Sequence, residues 1–428
     1  MFRPDEVRST LRIVLALGIA LMAPRLSHAQ AASQPADAQP PVPQVDLLDV
    51  WHQLRHQPTE PEKRPEGEGL MIAAAPIIGW NPTFGMTFGA AAQLAFVDGD
   101  PRTTRISSSV NSLSYSTKNQ ILFNARFDIF TSENRWFIEG DNRIYKSGQT
   151  VYGLGSDTPS SAGIDSRYNF VRLHDTLYRH VGSDVYLGAG LAFDSHTSIR
   201  PDSATEAEWN ASPFVAYSAQ YGLPLDSQQS GGITLNAAID KRVGEIDPRR
   251  GWMASAWYRM SFDGLFAGDT SWQLVHLEGR AYFPLAGAAP EGSRVPARHR
   301  LALWTFADVT THGVAPYFDL PEVVSDTYGR SSRAYQMGRY RGERLAYGEV
   351  EYRGMLRSDG LLGVVAFANT ATVTNLAAGE HLFDSFAPGV GGGLRVLFNK
   401  RSRTNFCVDF AYGKDGAKGL YFAIQDAF

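Results

Sequence analysis

The sequence predicts an all-β protein: a transmembrane antiparallel β-barrel of sixteen strands. Three observations carry that prediction. From Phe84 to the C-terminus apolar and polar residues alternate with a period of two. The alternating segments are mostly roughly 9–14 residues long, close to the ~9–11 that a tilted strand needs to cross hydrocarbon. The one long apolar run lies at the N-terminus and is too short to span a bilayer as a helix.

Composition narrows the class further. The 428 residues hold 40 Lys and Arg against 44 Asp and Glu, a net charge of −4. A near-neutral balance without a basic block argues against nucleic acid as a partner. A single cysteine, Cys407, excludes an intramolecular disulfide framework and a cysteine-based zinc site. Phe (24), Tyr (18), Trp (8) and Gly (41) are abundant, which favours strands joined by turns over helices.

The apolar run Ile13–Ala23 follows Arg3, Arg8 and Arg12 and precedes Ser27-His28-Ala29. This is the layout of a secretory signal peptide cleaved after Ala29, so residues 1–29 are read as a leader. Residues 30–75 are rich in Pro, Ala, Gln and Glu and read as a periplasmic tether. Within it, residues 46–55 place Leu47, Val50, Trp51 and Leu54 on one face of a short amphipathic helix. The barrel is expected over 76–428.

Strands are expected near 86–97, 103–116, 119–130, 135–146, 166–179, 184–197, 210–222, 230–242, 251–262, 272–285, 299–311, 343–356, 361–373, 387–398, 405–413 and 419–428. In 274–283, Val275, Leu277, Ala281 and Phe283 share one face, and His276, Glu278, Arg280 and Tyr282 the other. In 345–353, Glu349, Glu351 and Arg353 oppose Val350 and Tyr352. In 406–412, Phe406, Val408, Phe410 and Tyr412 oppose Cys407, Asp409 and Ala411. Alternation alone does not separate a soluble sandwich from a membrane barrel, since either buries one face of each strand.

The even strand number and the ends of the strands favour the barrel. Trp136/Phe137, Trp252, Tyr317/Phe318 and Tyr421/Phe422 sit where interfacial girdles would fall. The chain ends on Phe428, preceded by Leu420, Phe422 and Ile424 at alternate positions. Such an ending resembles the C-terminal sorting signal of Gram-negative outer-membrane barrels, with Asp426 as an interruption. Connections from odd to even strands then face outside. The longest of them, roughly 311–342, joins the eleventh and twelfth strands.

That connection contains Ser332-Arg333-Ala334-Tyr335 and Gly338-Arg339-Tyr340-Arg341-Gly342, followed by Leu345–Arg353. The segment resembles the BamA/TamA-type outer-membrane assembly and translocation superfamily, the bacterial surface antigen family. Pro76, the turn Asn81–Gly85, Asp247–Gly251, Pro388–Phe398 and the chain's ending add to the likeness. The resemblance implies a sixth extracellular loop folded into the lumen, with Arg333 as its motif arginine. It implies that Glu351, pointing inward with Glu349, is the acidic partner. Phe367-Ala368-Asn369 stands where the family carries F-x-D-x-G, so Asn369 replaces an acid. Ala334 replaces the motif glycine before Tyr335. Only residues 30–75 lie between leader and barrel, too few for a POTRA domain, so a stand-alone barrel is expected.

No G-x-S-x-G, H-E-x-x-H or P-loop pattern is present, and Gly389–Arg395 has no following helix to make a phosphate cradle. Catalysis, cofactor and metal are not expected. The function expected from the resemblance is insertion or translocation of an unfolded protein or a lipid client at the outer membrane. The barrel would be monomeric, in contact with outer-membrane lipid and lipopolysaccharide. The alternative is a passive pore or structural barrel with the loop as plug.

Overall fold

The structure is a computed structural model that describes residues 44–56, 70–100, 102–244, 247–286, 297–400 and 403–428. The leader and most of the tether lie outside the described residues. One helix, α1 (Leu47–Leu54), precedes the sheet, with Asp46 as its N-cap. The strands of the first half are β1 (Met71–Asn81), β2 (Gly85–Phe96), β3 (Ser107–Ser116), β4 (Ile121–Phe130), β5 (Trp136–Ser147), the two-residue β6 (Thr150–Val151), β7 (Ile164–Gly182), β8 (Val185–Pro201) and β9 (Ser227–Asp240). Those of the second half are β10 (Gly251–Ser261), β11 (Trp272–Ala286), β12 (His299–Gly313), β13 (Arg344–Met355), β14 (Leu362–Val373), β15 (Ala387–Asn399), β16 (Thr404–Gly413) and β17 (Lys418–Ile424).

Apart from β6, which pairs only with β7, each strand pairs antiparallel with the next. The two ends of the sheet come side by side: a methyl group added to Gly79 of β1 would lie 3.2 Å from Cβ of Phe422 of β17. Among the described residues no ladder of paired residues joins β1 to β17.

The direction of the alternation identifies the solvent on each side. Along β13 and β16 the outward Val350 and Phe410 are 40% and 53% exposed, whereas the inward Glu351 and Asp409 are 0% and 6% exposed. His276, Glu278 and Arg280 of β11 also face inward and pair with one another and with Asp308 of β12. A protein folded in water would expose the charges and bury the apolar rows; here charge lines the interior and Leu, Val and Phe cover the outside, as in a barrel standing in lipid. No described helix is long and apolar enough to cross a membrane.

Two strand expectations are corrected. The segment 210–222 is helical, not extended: α2 (Glu206–Asn210) and α3 (Pro213–Tyr221) pack over one end of the barrel. Local chemistry selects the helices. Thr205 and Glu208 form a capping box, Ser212 caps α3 ahead of Pro213, and Gly222 closes it at φ 68°. Conversely β1 begins at Met71, inside the segment assigned to the tether. Pro76 within it is a residue that sheets tolerate at edges, and β1 is the edge at which the ladder stops. One strand lost and one gained keep the number of long strands among the described residues at sixteen and leave the long connection between the eleventh and twelfth of them.

The aromatic girdle is corrected as well. Trp136 is exposed, but Tyr317 and Phe318 are 0% and 6% exposed, inside a cluster with Phe214, Tyr217 and Trp209. Those rings come from the long loop and from α2 and α3, which together close one end of the lumen. Tyr421 points inward, its hydroxyl accepting from the Ala334 N–H.

Candidate functional site

The loop of residues 314–343, between β12 and β13, folds back into the lumen, and Ser332, Arg333, Ala334 and Tyr335 are each almost fully buried. Arg333 reaches the inner wall formed by β13, β14, β15 and β16. Its Nη2 donates to Glu351 at 2.6 Å and to Glu349, and Nη1 donates to Asp409 at 2.8 Å. The guanidinium plane lies over the Phe367 ring, 3.5 Å from the centroid. A planar cation thus has carboxylates at its edge and an aromatic face beneath it, the arrangement that favours arginine over lysine.

Strand register assembles this pocket. Glu349 and Glu351 of β13 stand opposite Asn369 and Phe367 of β14. Those two face Gly389 and Gly391 of β15, and Gly393 faces Asp409 of β16. The inward glycines make the room. A methyl on Gly391 would lie 2.3 Å from the Phe367 ring, and one on Gly393 would lie 2.0 Å from the Asp409 carboxylate. The packing role of these glycines follows from what the neighbouring strands place beside them.

Asp409 is the member that the resemblance did not supply. Asn369, in the position of the missing acid, donates to Glu349 at 3.4 Å and brings no charge. The third carboxylate comes instead from β16. Its inward position was legible from alternation, but its proximity to Arg333 was not, because 76 residues separate them. The network continues through Arg353, which donates to Glu351 at 2.7 Å, and Arg395, which donates to Asp409 at 2.5 Å and to Asp426. Tyr347 donates to Glu349 at 2.5 Å. Buried charges at this density are tolerated only when paired and hydrogen-bonded.

Ala334 keeps a backbone made for glycine, at φ 137°. Tyr335 donates to the Pro388 carbonyl at 2.5 Å and accepts from the Lys414 N–H at 2.8 Å. Arg330, not singled out from the sequence, donates to the carbonyls of Ile424, Gln425 and Asp426. On the other side of the unpaired edge, Met337 N–H donates to Thr83, in the β1–β2 turn, at 2.8 Å. The loop therefore contacts β17 on one side of the seam and the turn that follows β1 on the other.

A second guanidinium sits nearer the capped end. Arg341 is 0% exposed, donates to the Tyr317 carbonyl and to Glu322, and lies 4.4 Å over the Tyr317 ring. Burial pushes the Glu322 carboxyl above its ordinary range, and Arg341 opposes that only in part. Burial, with the Asp194 carboxylate, pushes Asp319 up to about 7 against the pull of Arg259 and the Ser230 hydroxyl, which donates to Asp319 at 2.5 Å. At the opposite end Asp247 is held below the usual range despite its burial, because it accepts from Arg300 and Arg403.

The chain's ending differs from the expected row. Phe422 is exposed outward and Leu420 and Ile424 are half-buried, but the strand stops at Ile424. Gln425 at φ 77° turns the chain inward. Phe428 is 7% exposed inside the lumen, 5.2 Å from the Trp304 ring, with its carbonyl accepting from Arg353 at 2.7 Å. Arg330, Arg353 and Arg395 hold this last stretch through the backbone oxygens of Ile424, Gln425, Asp426 and Phe428 and the Asp426 carboxylate. Among the described residues no group of three His, Cys, Asp or Glu is placed to hold a metal.

No family model and no curated protein sequence matches the chain. Solved structures do. BamA of Haemophilus ducreyi, in a structure lacking POTRA domains 1–3, superposes with a TM-score of 0.51 at 14% identity, over 84% of this chain and 70% of that one. CdiB of Acinetobacter baumannii gives 0.51 at 11% identity, over 84% of this chain and 65%, less than two thirds, of the other. At such identity the likeness is one of fold, and that fold is an outer-membrane β-barrel.

Proposed function

We propose that this chain is a member of the BamA/TamA-like superfamily that inserts or translocates a protein or lipid client through the seam between β1 and β17. The observation that carries the reading is the seam itself: two strands in side-by-side contact without a ladder, in a sheet where every other neighbouring pair of long strands has one. β1 contributes Pro76, which has no N–H to donate, and β17 has only seven residues. Local opening costs least where backbone pairing is sparse. The loop bears on both flanks of the seam through Arg330, Ala334 and Met337, and so is placed to couple its opening to the lumen. In this reading residues 1–29 export the chain, the barrel is a monomer among outer-membrane lipid and lipopolysaccharide, and it performs no catalysis.

The close approach of Gly79 and Phe422 supplies the experiment. Paired Gly79→Cys and Phe422→Cys place two thiols near the ~3.5–4.5 Å Cβ separation of a disulfide. Oxidised protein should fail to complement a deletion strain, and reduction should restore it. Full activity of the locked barrel would refute a moving seam. A second reading, a passive pore plugged by the loop, rests on the burial of Arg333. It gains support if the locked barrel keeps its function and Arg333→Ala raises single-channel conductance.

A further inference from the structure

Helix α1 is turned inside out relative to a helix on a soluble domain. Its acidic residues face the protein, Asp46 and Asp49 being 3% and 5% exposed, while Leu48, Trp51 and Leu54 face outward at 43%, 52% and 73%. The acidic side is bolted down. Asp46 accepts from the Lys400 N–H at 2.8 Å, and Asp49 takes both carboxylate contacts with Lys400 Nζ at 2.6 and 2.8 Å. Gln44 accepts from Arg403 at 2.7 Å, and Val45 N–H donates to the Asp359 carbonyl at 3.1 Å. These partners lie in the short turns after β13 and β15, at the end opposite the long loop, which is the periplasmic end in barrels of this kind.

The anchor fixes where the apolar face can go. α1 packs against β15, whose outward Val390 and Leu394 are 57% and 55% exposed on the lipid side of the wall. The Leu48, Trp51 and Leu54 face thus continues an apolar band already turned toward lipid. The Lys400 ammonium pairs with Asp49 and its backbone N–H holds Asp46, so the charge left outward is Arg55, which lies 4.3 Å over the Trp51 ring. Tryptophan with arginine at the end of an apolar face matches a bilayer interface, where the ring sits at headgroup level and the guanidinium meets phosphate.

We infer that α1 is an interfacial foot, whose Leu48, Trp51 and Leu54 rest in the periplasmic leaflet of the outer membrane while Asp46 and Asp49 hold it to the wall. The partner is a phospholipid surface. The inference is independent of any client, so its failure would leave the seam untouched.

The test uses the full chain folded into vesicles of phosphatidylethanolamine and phosphatidylglycerol. Trp51→Cys is labelled with an environment-sensitive fluorophore; Cys407, 1% exposed, stays unlabelled in the folded barrel. Lipids carrying a nitroxide near the headgroup should quench the probe at least twofold, and aqueous iodide only weakly. Strong iodide quenching without lipid quenching would place this face in water and overturn the inference. Protection from both quenchers would mean that protein covers it, another segment of this chain or a second copy, and would overturn it too. Leu54→Cys, one turn on, decides the matter should the first substitution lower the yield of folded barrel.

Discussion

The N–H of Ala334 donates to the hydroxyl of Tyr421 at 3.1 Å, tying the tip of the long loop to the last strand of the wall. That bond is made by a backbone at φ 137°, where an L-residue with a Cβ is strained.

Relief of that strain gives the first prediction. Ala334→Gly removes the Cβ without removing the hydrogen bond, and should stabilise the folded barrel by about 1–2 kcal/mol. The check is the temperature at which the compact form of the barrel converts to the unfolded form on a detergent gel. A transition that stays put or falls would show that the strain is absorbed elsewhere.

Arg333 should behave as a buried ion with several partners. Arg333→Ala leaves Glu349, Glu351 and Asp409 facing one another without their shared cation, and should cost about 3–5 kcal/mol. Arg333→Lys should recover only part of this, because one ammonium replaces neither the planar fork nor the stack on Phe367. Thermal unfolding of the three proteins in detergent ranks them. Equal stability of Lys and Arg variants would remove the geometric argument.

The glycine row on β15 is testable by a contrast. Gly391→Ala would drive a methyl to 2.3 Å from both the Phe367 ring and the Phe410 carbonyl, whereas Gly348→Ala of β13 meets nothing within 4 Å. The first should destabilise by about 1–3 kcal/mol through overpacking. The second should stay within about 0.5 kcal/mol of the parent. Folding yield and unfolding temperature read both; similar values for the two would contradict the packing role.

The cap should respond to pH through Asp319. Its folded-state value is raised to about 7, from the usual carboxylate range, so between roughly pH 4 and 7 the folded state holds a proton that the unfolded state releases. Stability from this group is therefore present at low pH and lost as pH rises through about 7. Limited proteolysis at α2 and α3 should be several-fold slower at pH 5.5 than at pH 8, after correction for protease activity. Asp319→Asn should abolish the difference. A pH ratio unchanged by the substitution would assign the effect to another group.

Much of this molecule was legible in its sequence because a barrel writes its two solvents into adjacent residues. The inward rows of β11, β13 and β16, and the helix at 46–55 with Asp46 at its start, follow from periodicity and capping chemistry alone. The misread segment at 210–222 shows the limit of that approach. Its helix caps stand at Thr205, Ser212 and Gly222, signals that period-two alternation does not weigh. β1 begins in a segment read as tether, and its Pro76 is compatible with a sheet at the edge where the ladder stops.

The site divides in the same way. Arg333, Glu349 and Glu351 could be named from a short motif and from parity, since all three lie within one loop and the strand that follows it. Asp409, Arg395 and the inward turn of Phe428 could not. Their roles depend on which strands stand next to one another after the sheet has curved and the loop has returned into it. The sequence by itself determined which side chains face lipid and which face the lumen, because that is a local matter of period two. Only the tertiary structure decided which inward charges meet, because a buried guanidinium takes whichever carboxylates the curved wall brings within hydrogen-bond reach, however distant they are along the chain.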